Sequence, residues 1–259
     1  MNILITGGNS YIGKSIYNSL SNKHNIILAP RNILDLTNRY SVDKFFNENH
    51  YFDFIIHTAV KGINRFEKES LNILDDNLNM YYNICDKQSH FNKFISFGSG
   101  VEIFPKNTLY TLSKKVISES IKNKENFYNL RIFAVFDENE LNTRFIKSNL
   151  LRYINHQAIE IYETKKMDFF YMKDLINLVE YYIENKNPPK EVNCSYKEKY
   201  SLFEIANIIN QLDKHKVEIK NETSIKDDYI GEYNLPISYK GLEKGIIEVY
   251  KKIKQKTID

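Results

Sequence analysis

Tyr110 and Lys114, four residues apart, are the residues of this 259-residue chain whose types and spacing most directly suggest chemistry. On a helix, side chains four residues apart lie on the same face, so the lysine ammonium can sit beside the tyrosine phenol. A neighbouring positive charge favours loss of the phenol proton, and such a phenol can act as an acid or base near neutral pH. Ser99, at the end of the preceding apolar run, can hold a substrate oxygen against the same phenol. This spacing is common in a chain with 19 tyrosines, so its meaning depends on the elements around it.

The N-terminus predicts a phosphate-binding turn. An apolar run, Met1–Thr6, leads through a glycine-containing turn into Lys14–Leu20, which has helical spacing. In this context Gly7 allows the tight turn and Gly13 allows the helix to pack closely on the strand. The first helical turn then offers free N–H groups to a phosphate. Ser10 stands where the motif usually has its middle glycine, and its hydroxyl is a hypothetical hydrogen-bond donor to phosphate.

The end of the second predicted strand, His24–Ala29, indicates the choice of cofactor. A site for the unphosphorylated dinucleotide usually has an acid there, whereas a basic residue suits a 2′-phosphate. Arg31 follows this strand and no acid precedes it, which favours NADPH. Asp35 and Leu36 come next and can pass under the adenine ring.

The third predicted strand, Phe52–His57, ends in the small residues Thr58–Val60. Small residues at the carboxyl end of a parallel strand leave room for a cofactor to lie across it. His57 at this place is predicted to be structural. Asn77 is a polar residue within the following predicted helix, where it can bind a backbone carbonyl.

The composition excludes several classes of protein. Hydrophobic content of 42% and charged content of 27% are typical of a soluble globular domain. The net charge of +3 comes from scattered residues, so no nucleic-acid-binding surface is predicted. Cys85 and Cys194 are too few for a disulfide framework, and their spacing is not that of a metal site. Because no export signal or membrane-spanning apolar run is visible, we expect a cytoplasmic protein that does not span a membrane.

Alternating strands and helices predict an α/β fold with a Rossmann-type parallel sheet over residues 1–136. The last strand of this part is the apolar run Phe127–Phe136. Beyond it the alternation loosens, and residues 137–259 are predicted to form a second, smaller mixed α/β lobe that binds the substrate. Within this lobe Ser201 is predicted to cap a helix.

The ordered set of motifs resembles the extended short-chain dehydrogenase/reductase family, the NAD-dependent epimerase/dehydratase group that modifies nucleotide sugars. The pieces that match, in the order of the family, are Thr6–Gly13, Asp35-Leu36, His57-Thr58-Ala59, Asn77, Gly98-Ser99, Tyr110 with Lys114, Leu130–Phe133, and Asp168-Phe169-Phe170-Tyr171 with Asp174. Together they span nearly the whole chain.

The resemblance implies roles for individual residues. It implies that Tyr110 is the proton donor or acceptor, that Lys114 assists it and binds the nicotinamide ribose, and that Ser99 donates a hydrogen bond to the reacting oxygen. Residues 132–135 are implied to lie alongside the nicotinamide. The full set of predicted NADP contacts is Gly7, Asn9, Ser10, Tyr11, Ile12, Gly13, Arg31, Asp35, Leu36, Thr58, Ala59, Val60, Asn77, Tyr110, Lys114, Ile132 and Val135.

Two features narrow the reaction that the resemblance implies. The dehydratases of the family carry acids directly after the serine-bearing strand, whereas this chain has Gly100-Val101 there and Glu102 one place late. The segment 28–63, with Arg31 and the loop 61–63, looks most like the GDP-L-fucose synthases. This chain is shorter than those enzymes, has no convincing Cys/His pair for epimerisation, and has Phe136-Asp137 in place of the usual aromatic-glycine turn.

The predicted activity is therefore reduction by NADPH of the C4 ketone of a nucleotide-diphosphate 4-keto-6-deoxy sugar, in deoxysugar biosynthesis. Arg144 and Lys147 are predicted to contact the substrate diphosphate. Two alternatives stay open: a nucleotide-sugar epimerase with tightly bound NAD, and a non-catalytic NADP-binding sensor. By analogy with the family, a homodimer formed through the helices around Asn77 and Lys114 is expected.

Overall fold

The computed structural model of the chain describes residues 1–49, 51–62, 69–221 and 224–258. The chain divides into two compact units. The first consists of Met1–Arg131 and Tyr182–Val192, and the second of Ile132–Tyr181 and Asn193–Asp259. Ile63, part of the loop predicted at 61–63, lies outside the described residues.

The first unit is built around a six-stranded sheet with the strand order β2-β1-β3-β4-β5-β9. Its strands are β1 (Asn2–Thr6), β2 (Asn25–Ala29), β3 (Phe52–His57), β4 (Phe91–Ser99), β5 (Phe127–Ile132) and β9 (Glu191–Cys194). Its helices are α1 (Tyr11–Leu20), α2 (Arg39–Glu48), α3 (Ile73–Cys85) and α4 (Leu109–Lys122). The pairs β1–β2, β1–β3 and β3–β4 are parallel. The predicted α/β fold with a Rossmann-type parallel sheet is confirmed.

Apolar runs in the sequence explain why these strands are buried between the layers of helices. Ile3, Leu4 and Ile5 are all fully buried, as expected where helices cover both faces of a parallel sheet. Aromatic side chains complete the core, and the rings of Phe94 in β4 and Phe127 in β5 lie 4.8 Å apart, centroid to centroid. The sheet therefore holds the carboxyl ends of β1, β3 and β4, where the predicted site residues follow, in one rigid layer.

The order in which successive strands join the sheet reverses at β1. β2 follows β1 on one side of it, whereas β3 pairs with its other side. In open α/β sheets ligands bind outside the carboxyl ends of the strands at such a switch point. The turn after β1 and residues 58–60 after β3 both lie there, with Thr58 N donating to Thr6 O at 3.3 Å.

The second unit contains two small sheets. β6 (Val135–Phe136) pairs in parallel with β8 (Phe170–Tyr171), and β7 (Ile159–Ile161) pairs in parallel with β10 (Ile219–Asn221). Its helices are α5 (Phe145–Ile154), α6 (Met172–Glu184), whose last turn enters the first unit, α7 (Leu202–Ile209) and α8 (Leu242–Ile258). The predicted cap of α7 is confirmed, because Ser201 Oγ accepts a hydrogen bond from Glu204 N at 3.1 Å.

The observed division differs from a single boundary after residue 136. Residues 182–192 belong to the first unit and supply the first two residues of β9, whereas Asn193 and Cys194 fall in the second unit. Just before this strand, Lys190 O accepts a hydrogen bond from Asn129 N at 3.0 Å. The apolar run 127–136 is also split, into β5 and β6, and the boundary between the units follows Arg131. None of the helices in the described ranges is long and apolar enough to cross a lipid bilayer.

Candidate active site

Gly7 shapes the turn after β1. Its φ of +70° lies in the left-handed region, which glycine adopts without strain. A Cβ at this position would lie 2.6 Å from the backbone nitrogen of Ala59. The turn therefore packs directly against the chain that leaves β3, and a side chain cannot be accommodated between them. This cradle of bare backbone fits the close approach that a dinucleotide phosphate requires.

Ser10 begins α1 and is tied to β3. Its hydroxyl accepts a hydrogen bond from Gly13 N at 3.0 Å and lies 2.7 Å from Thr58 Oγ1. Thr58 Oγ1 in turn donates to Thr6 O at 2.6 Å, so the Ser10 proton is directed to Thr58. In the structure the Ser10 hydroxyl caps α1, and its hydrogen bond to a phosphate stays a prediction. Of the other predicted contacts here, Asn9 is exposed, and Tyr11 and Ile12 are half-buried in the first turn of α1.

Arg31 follows β2 and is exposed to solvent. Its side chain is 78% exposed, and Nε donates to Asp35 Oδ2 at 3.2 Å. Burial works to raise the pKa of Asp35, but hydrogen bonds from Thr37 and the charge of Arg31 lower it overall. Leu36 is buried. The Asp35 carboxylate thus holds Arg31 by one nitrogen while the rest of the guanidinium faces outward, a geometry that leaves donors for a phosphate.

His57 has a structural role. It is buried at the end of β3, and its Nδ1 lies 2.9 Å from Thr6 Oγ1. Burial, with a smaller effect from the Lys114 charge, lowers the pKa of His57 to about 3. The ring is therefore neutral at physiological pH. Beyond it, Ala59 is half-buried and Val60 is exposed.

Asn77 ties the loop after β3 to α4. Its Oδ1 accepts from Lys61 N at 2.8 Å, and its Nδ2 donates to Lys61 O at 3.1 Å and to Ser113 Oγ at 3.1 Å. Ser113 Oγ then donates to Tyr110 O at 2.7 Å. Both donor hydrogens of the Asn77 amide are used within the protein, so this residue positions the loop and the helix of Tyr110.

Ser99, Tyr110 and Lys114 gather around the carboxyl end of β4. Ser99 is the last residue of the strand, and Tyr110 lies in the first turn of α4. Lys114, one turn on, is buried and donates to Phe97 O at 2.7 Å, with its Nζ 5.9 Å from the centre of the Tyr110 ring. The spacing of four residues does place the ammonium on the same side as the phenol. The Ser99 hydroxyl accepts a hydrogen bond from Val101 N at 3.4 Å, and as a donor it can serve a ligand oxygen.

Two carboxylates at this site, those of Glu69 and Glu102, were not among the residues that the sequence predicted to act there. Glu69 accepts hydrogen bonds from Leu109 N at 3.0 Å and Tyr110 N at 2.8 Å, and so caps the helix that carries the phenol. Glu102 accepts from Ser99 N at 2.8 Å. The pattern Ser99-Gly-Val-Glu102 is that of a capping box, a local signal that was available in the sequence. No local signal links Glu69 to a helix that starts 40 residues later.

The second unit holds the remaining predicted residues. Ile132 and Val135 are half-buried, and Arg144 is exposed at the start of α5. Lys147 is buried, and its ammonium donates to the backbone carbonyls of Glu138 and Glu140. Because carbonyl groups of its own chain bind this ammonium, the structure favours Arg144 over Lys147 as a contact for diphosphate.

Comparison with known proteins identifies relatives. The profile of the NAD dependent epimerase/dehydratase family matches residues 3–195. No curated protein matches the chain by sequence.

Solved structures share the fold over almost the whole chain. The GDP-mannoheptose C4 reductase of Campylobacter jejuni, with NADP bound, has a TM-score of 0.81 at 20% identity and covers 98% of both chains. A GDP-L-fucose synthetase from Naegleria fowleri has a TM-score of 0.77 at 16% identity, covering 99% of this chain and 93% of the other. The UDP-glucose 4-epimerase of Thermus thermophilus, in complex with NAD, has a TM-score of 0.76 at 14% identity, covering 98% and 99%.

Proposed function

The chain belongs to the NAD-dependent epimerase/dehydratase family of NAD(P)-dependent enzymes, and from this premise we propose that it reduces a nucleotide-diphosphate 4-keto-6-deoxy sugar with NADPH. The reaction converts the C4 ketone to an alcohol in deoxysugar biosynthesis. The observation that carries the proposal is the arrangement of Ser99, Tyr110 and Lys114 at the end of β4. An NADP-bound C4 reductase and a GDP-L-fucose synthetase among the structural neighbours support it.

In the proposed step the cofactor and three side chains each have a separate role. The turn at Gly7 would hold a phosphate of NADPH, and the bound cofactor would supply the hydride to the ketone carbon and become NADP⁺. The Tyr110 phenol donates its proton to the carbonyl oxygen, on which negative charge develops. The Ser99 hydroxyl donates a hydrogen bond to the same oxygen, and positioned donors of this kind are each worth roughly 3 kcal/mol of barrier. Lys114 stabilises the phenolate that remains.

The geometry favours reduction over elimination of water. A 4,6-dehydratase needs free carboxyl groups beside the reacting sugar to remove one proton and deliver another. Glu102 instead directs its two oxygens to Ser99 N, Asn129 Nδ2 and Arg131 Nε. Because these bonds occupy the carboxylate within the protein, it does not serve as the acid of an elimination.

Further contacts are part of the proposal. Arg31 binds the 2′-phosphate that distinguishes NADPH from NADH, and Arg144 contacts the substrate diphosphate. Neither Cys85 nor Cys194 is part of a disulfide, which suits the reducing cytoplasm, where we place the enzyme. Tyr82 on α3 and Leu112 on α4 are 42% and 47% exposed, and we propose that these helices form a homodimer. Light scattering on the purified protein tests this, and a monomeric mass contradicts it.

The deciding experiment is an assay with defined substrates. The purified chain is mixed with NADPH or NADH and a panel of 4-keto-6-deoxy nucleotide sugars, and the loss of reduced nicotinamide is followed. We expect turnover with at least one sugar and a preference for NADPH. Absence of turnover with every sugar and both cofactors contradicts the proposed reaction.

An epimerase is the second candidate, because a UDP-glucose 4-epimerase with NAD shares the fold. An epimerase keeps its NAD tightly bound and consumes none overall. The absorbance spectrum of the purified protein and the product stereochemistry without added cofactor therefore separate the two activities. A non-catalytic sensor would bind NADPH and turn over no sugar.

A further inference from the structure

The buried carboxylate of Glu102 contacts the backbone of Ser99. The side chain of Glu102 is 4% exposed, and its Oε1 accepts a hydrogen bond from Ser99 N at 2.8 Å. Its Oε2 accepts from Asn129 Nδ2 at 2.9 Å and from Arg131 Nε at 2.8 Å. The carboxylate thus joins the end of β4, where Ser99 lies, to two residues of β5.

The charge of Glu102 is compensated inside the protein. The side chain of Arg131 is 8% exposed, and its Nη2 also pairs with Glu191 Oε2 at 3.0 Å on the neighbouring strand β9. A buried ion pair is expensive to break by removing one partner, because the other charge is left without compensation. The ion pair therefore holds the Glu102 carboxylate in one position. Because Ser99 N donates to this carboxylate, the ion pair also fixes the position of the Ser99 amide.

The chain makes room for this carboxylate by having glycine at position 98. A Cβ on Gly98 would lie 2.4 Å from Glu102 Oε1 and 2.5 Å from Asn129 Oδ1. No turn geometry requires glycine here, because Gly98 lies within β4 and its φ is not positive. The missing side chain is instead what lets the Glu102 carboxylate reach the backbone of the strand.

We propose that Glu102 is a positioning residue that fixes the direction of the Ser99 hydroxyl during carbonyl reduction. This inference rests on the proposed function and adds a residue to its machinery. The Ser99 backbone is extended, with φ of −143° and ψ of 148°, and its amide is held by the carboxylate while its hydroxyl accepts from Val101 N. With the amide nitrogen and the hydroxyl oxygen both held, the oxygen is fixed in the place from which its proton can be donated to a ligand. A misplacement of about 1 Å at such a donor can cost up to about 100-fold in rate.

A double-mutant cycle between Glu102 and Ser99 tests the proposal. We expect Glu102→Gln to lower kcat by about 10-fold or more, because the Gln amide presents N–H to groups that are themselves donors. NADPH affinity should change by less than about 2-fold, since no cofactor contact is removed. In the Ser99→Ala background the same substitution should change kcat by less than about 2-fold, because the hydroxyl that it positions is gone.

A matched control separates positioning from general stability. Asp168 is a buried acid of the second unit that pairs with Lys199 at 2.9 Å. Asp168→Asn removes a comparable buried charge, and its effect on kcat should be the same with Ser99 or with Ala at position 99. If the losses from Glu102→Gln are also additive with Ser99→Ala, Glu102 is merely structural and the proposal is overturned.

A second variant covers the case in which Glu102→Gln does not fold. Glu102→Asp keeps the charge beside Arg131 but withdraws the carboxylate by one methylene from Ser99 N, and the same cycle is measured with it. An active wild type with an additive cycle contradicts this inference alone. A wild type without turnover of any sugar contradicts the proposed function, and this inference with it.

Discussion

At the scale of single residues, Tyr110 has the most demanding role. If its phenol protonates the developing alkoxide, Tyr110→Phe should lower kcat by roughly 100- to 10,000-fold, the usual contribution of a general acid. NADPH binding, measured by fluorescence titration, should stay within about 2-fold. Tyr82→Phe, at an exposed tyrosine of α3, is the control and should retain normal turnover. Normal turnover by the Tyr110 variant would contradict the mechanism.

Arg31 permits a test of cofactor choice. Arg31→Ala should weaken NADPH binding by about 10- to 100-fold, since a hydrogen bond to a charged group contributes roughly 1.5–3 kcal/mol. NADH has no 2′-phosphate, so its affinity should change little. The comparison is made by titrating each cofactor, with Lys44→Ala on the exposed side of α2 as the control. Equal losses for the two cofactors would show that Arg31 does not bind the 2′-phosphate.

Local spacing made some of these residues predictable and left others out. Tyr110 and Lys114 are four residues apart on one helix, so their proximity follows from helical geometry. Glu102 forms a capping box with Ser99, but Asn129 and Arg131 come to it from another strand. Contacts between residues that are far apart in the sequence depend on the order of strands in the sheet, which residue spacing does not specify. The role of Glu102 therefore became visible only in three dimensions.

At the scale of elements, the start of α4 determines where Tyr110 lies. Thr108 Oγ1 accepts from Thr111 N at 3.1 Å, and the Glu69 carboxylate accepts from the first two helical amides. A negative charge at a helix N-terminus is favourable, because the free N–H groups there carry partial positive charge. The helix was expected from the sequence, whereas its second cap comes from a distant loop.

Glu69→Gln should therefore lower the free energy of unfolding by about 1 kcal/mol, the typical loss for a removed helix cap. Urea denaturation of the variant and the wild type measures this change. Glu119→Gln is the control, because Glu119 is an exposed acid near the other end of the same helix. An equal effect of the two substitutions would show that the charge of Glu69 does not stabilise α4.

At the scale of the whole molecule, the buried His57 makes stability depend on pH. The unfolded chain takes up this proton near pH 6.5, whereas in the native state burial lowers the pKa to about 3. Between these values the unfolded state binds more protons, so stability is full above pH 6.5 and falls as the pH falls. The loss is about 1.4 kcal/mol per pH unit.

Acidification from pH 7 to pH 5 should thus cost about 2 kcal/mol through His57. His57→Asn, which keeps a polar atom near Thr6, should remove that part of the pH dependence in urea denaturation. His156→Asn is the control, because His156 is exposed and has a φ of 54°, which asparagine tolerates. A pH dependence unchanged in the His57 variant would contradict the assignment of a neutral buried ring.

The class of fold followed from the alternation of strands and helices, but the path of the chain did not. Nothing in the residues of β9 shows that this strand joins the sheet of the first unit. Its partner strand β5 lies about 60 residues earlier, and a pairing over such a distance has no local sequence pattern.

This late return of the chain has a consequence for synthesis on the ribosome. At roughly 5–20 residues per second, β5 waits roughly 3–12 seconds before residues 190–192 are made. During that time its outer edge has no neighbour, and open edges are sites at which strands of other chains can pair. Glu191, the second acid of Arg131, arrives with the same segment. The ion pairs behind Ser99 are thus completed only after about three quarters of the chain has been translated.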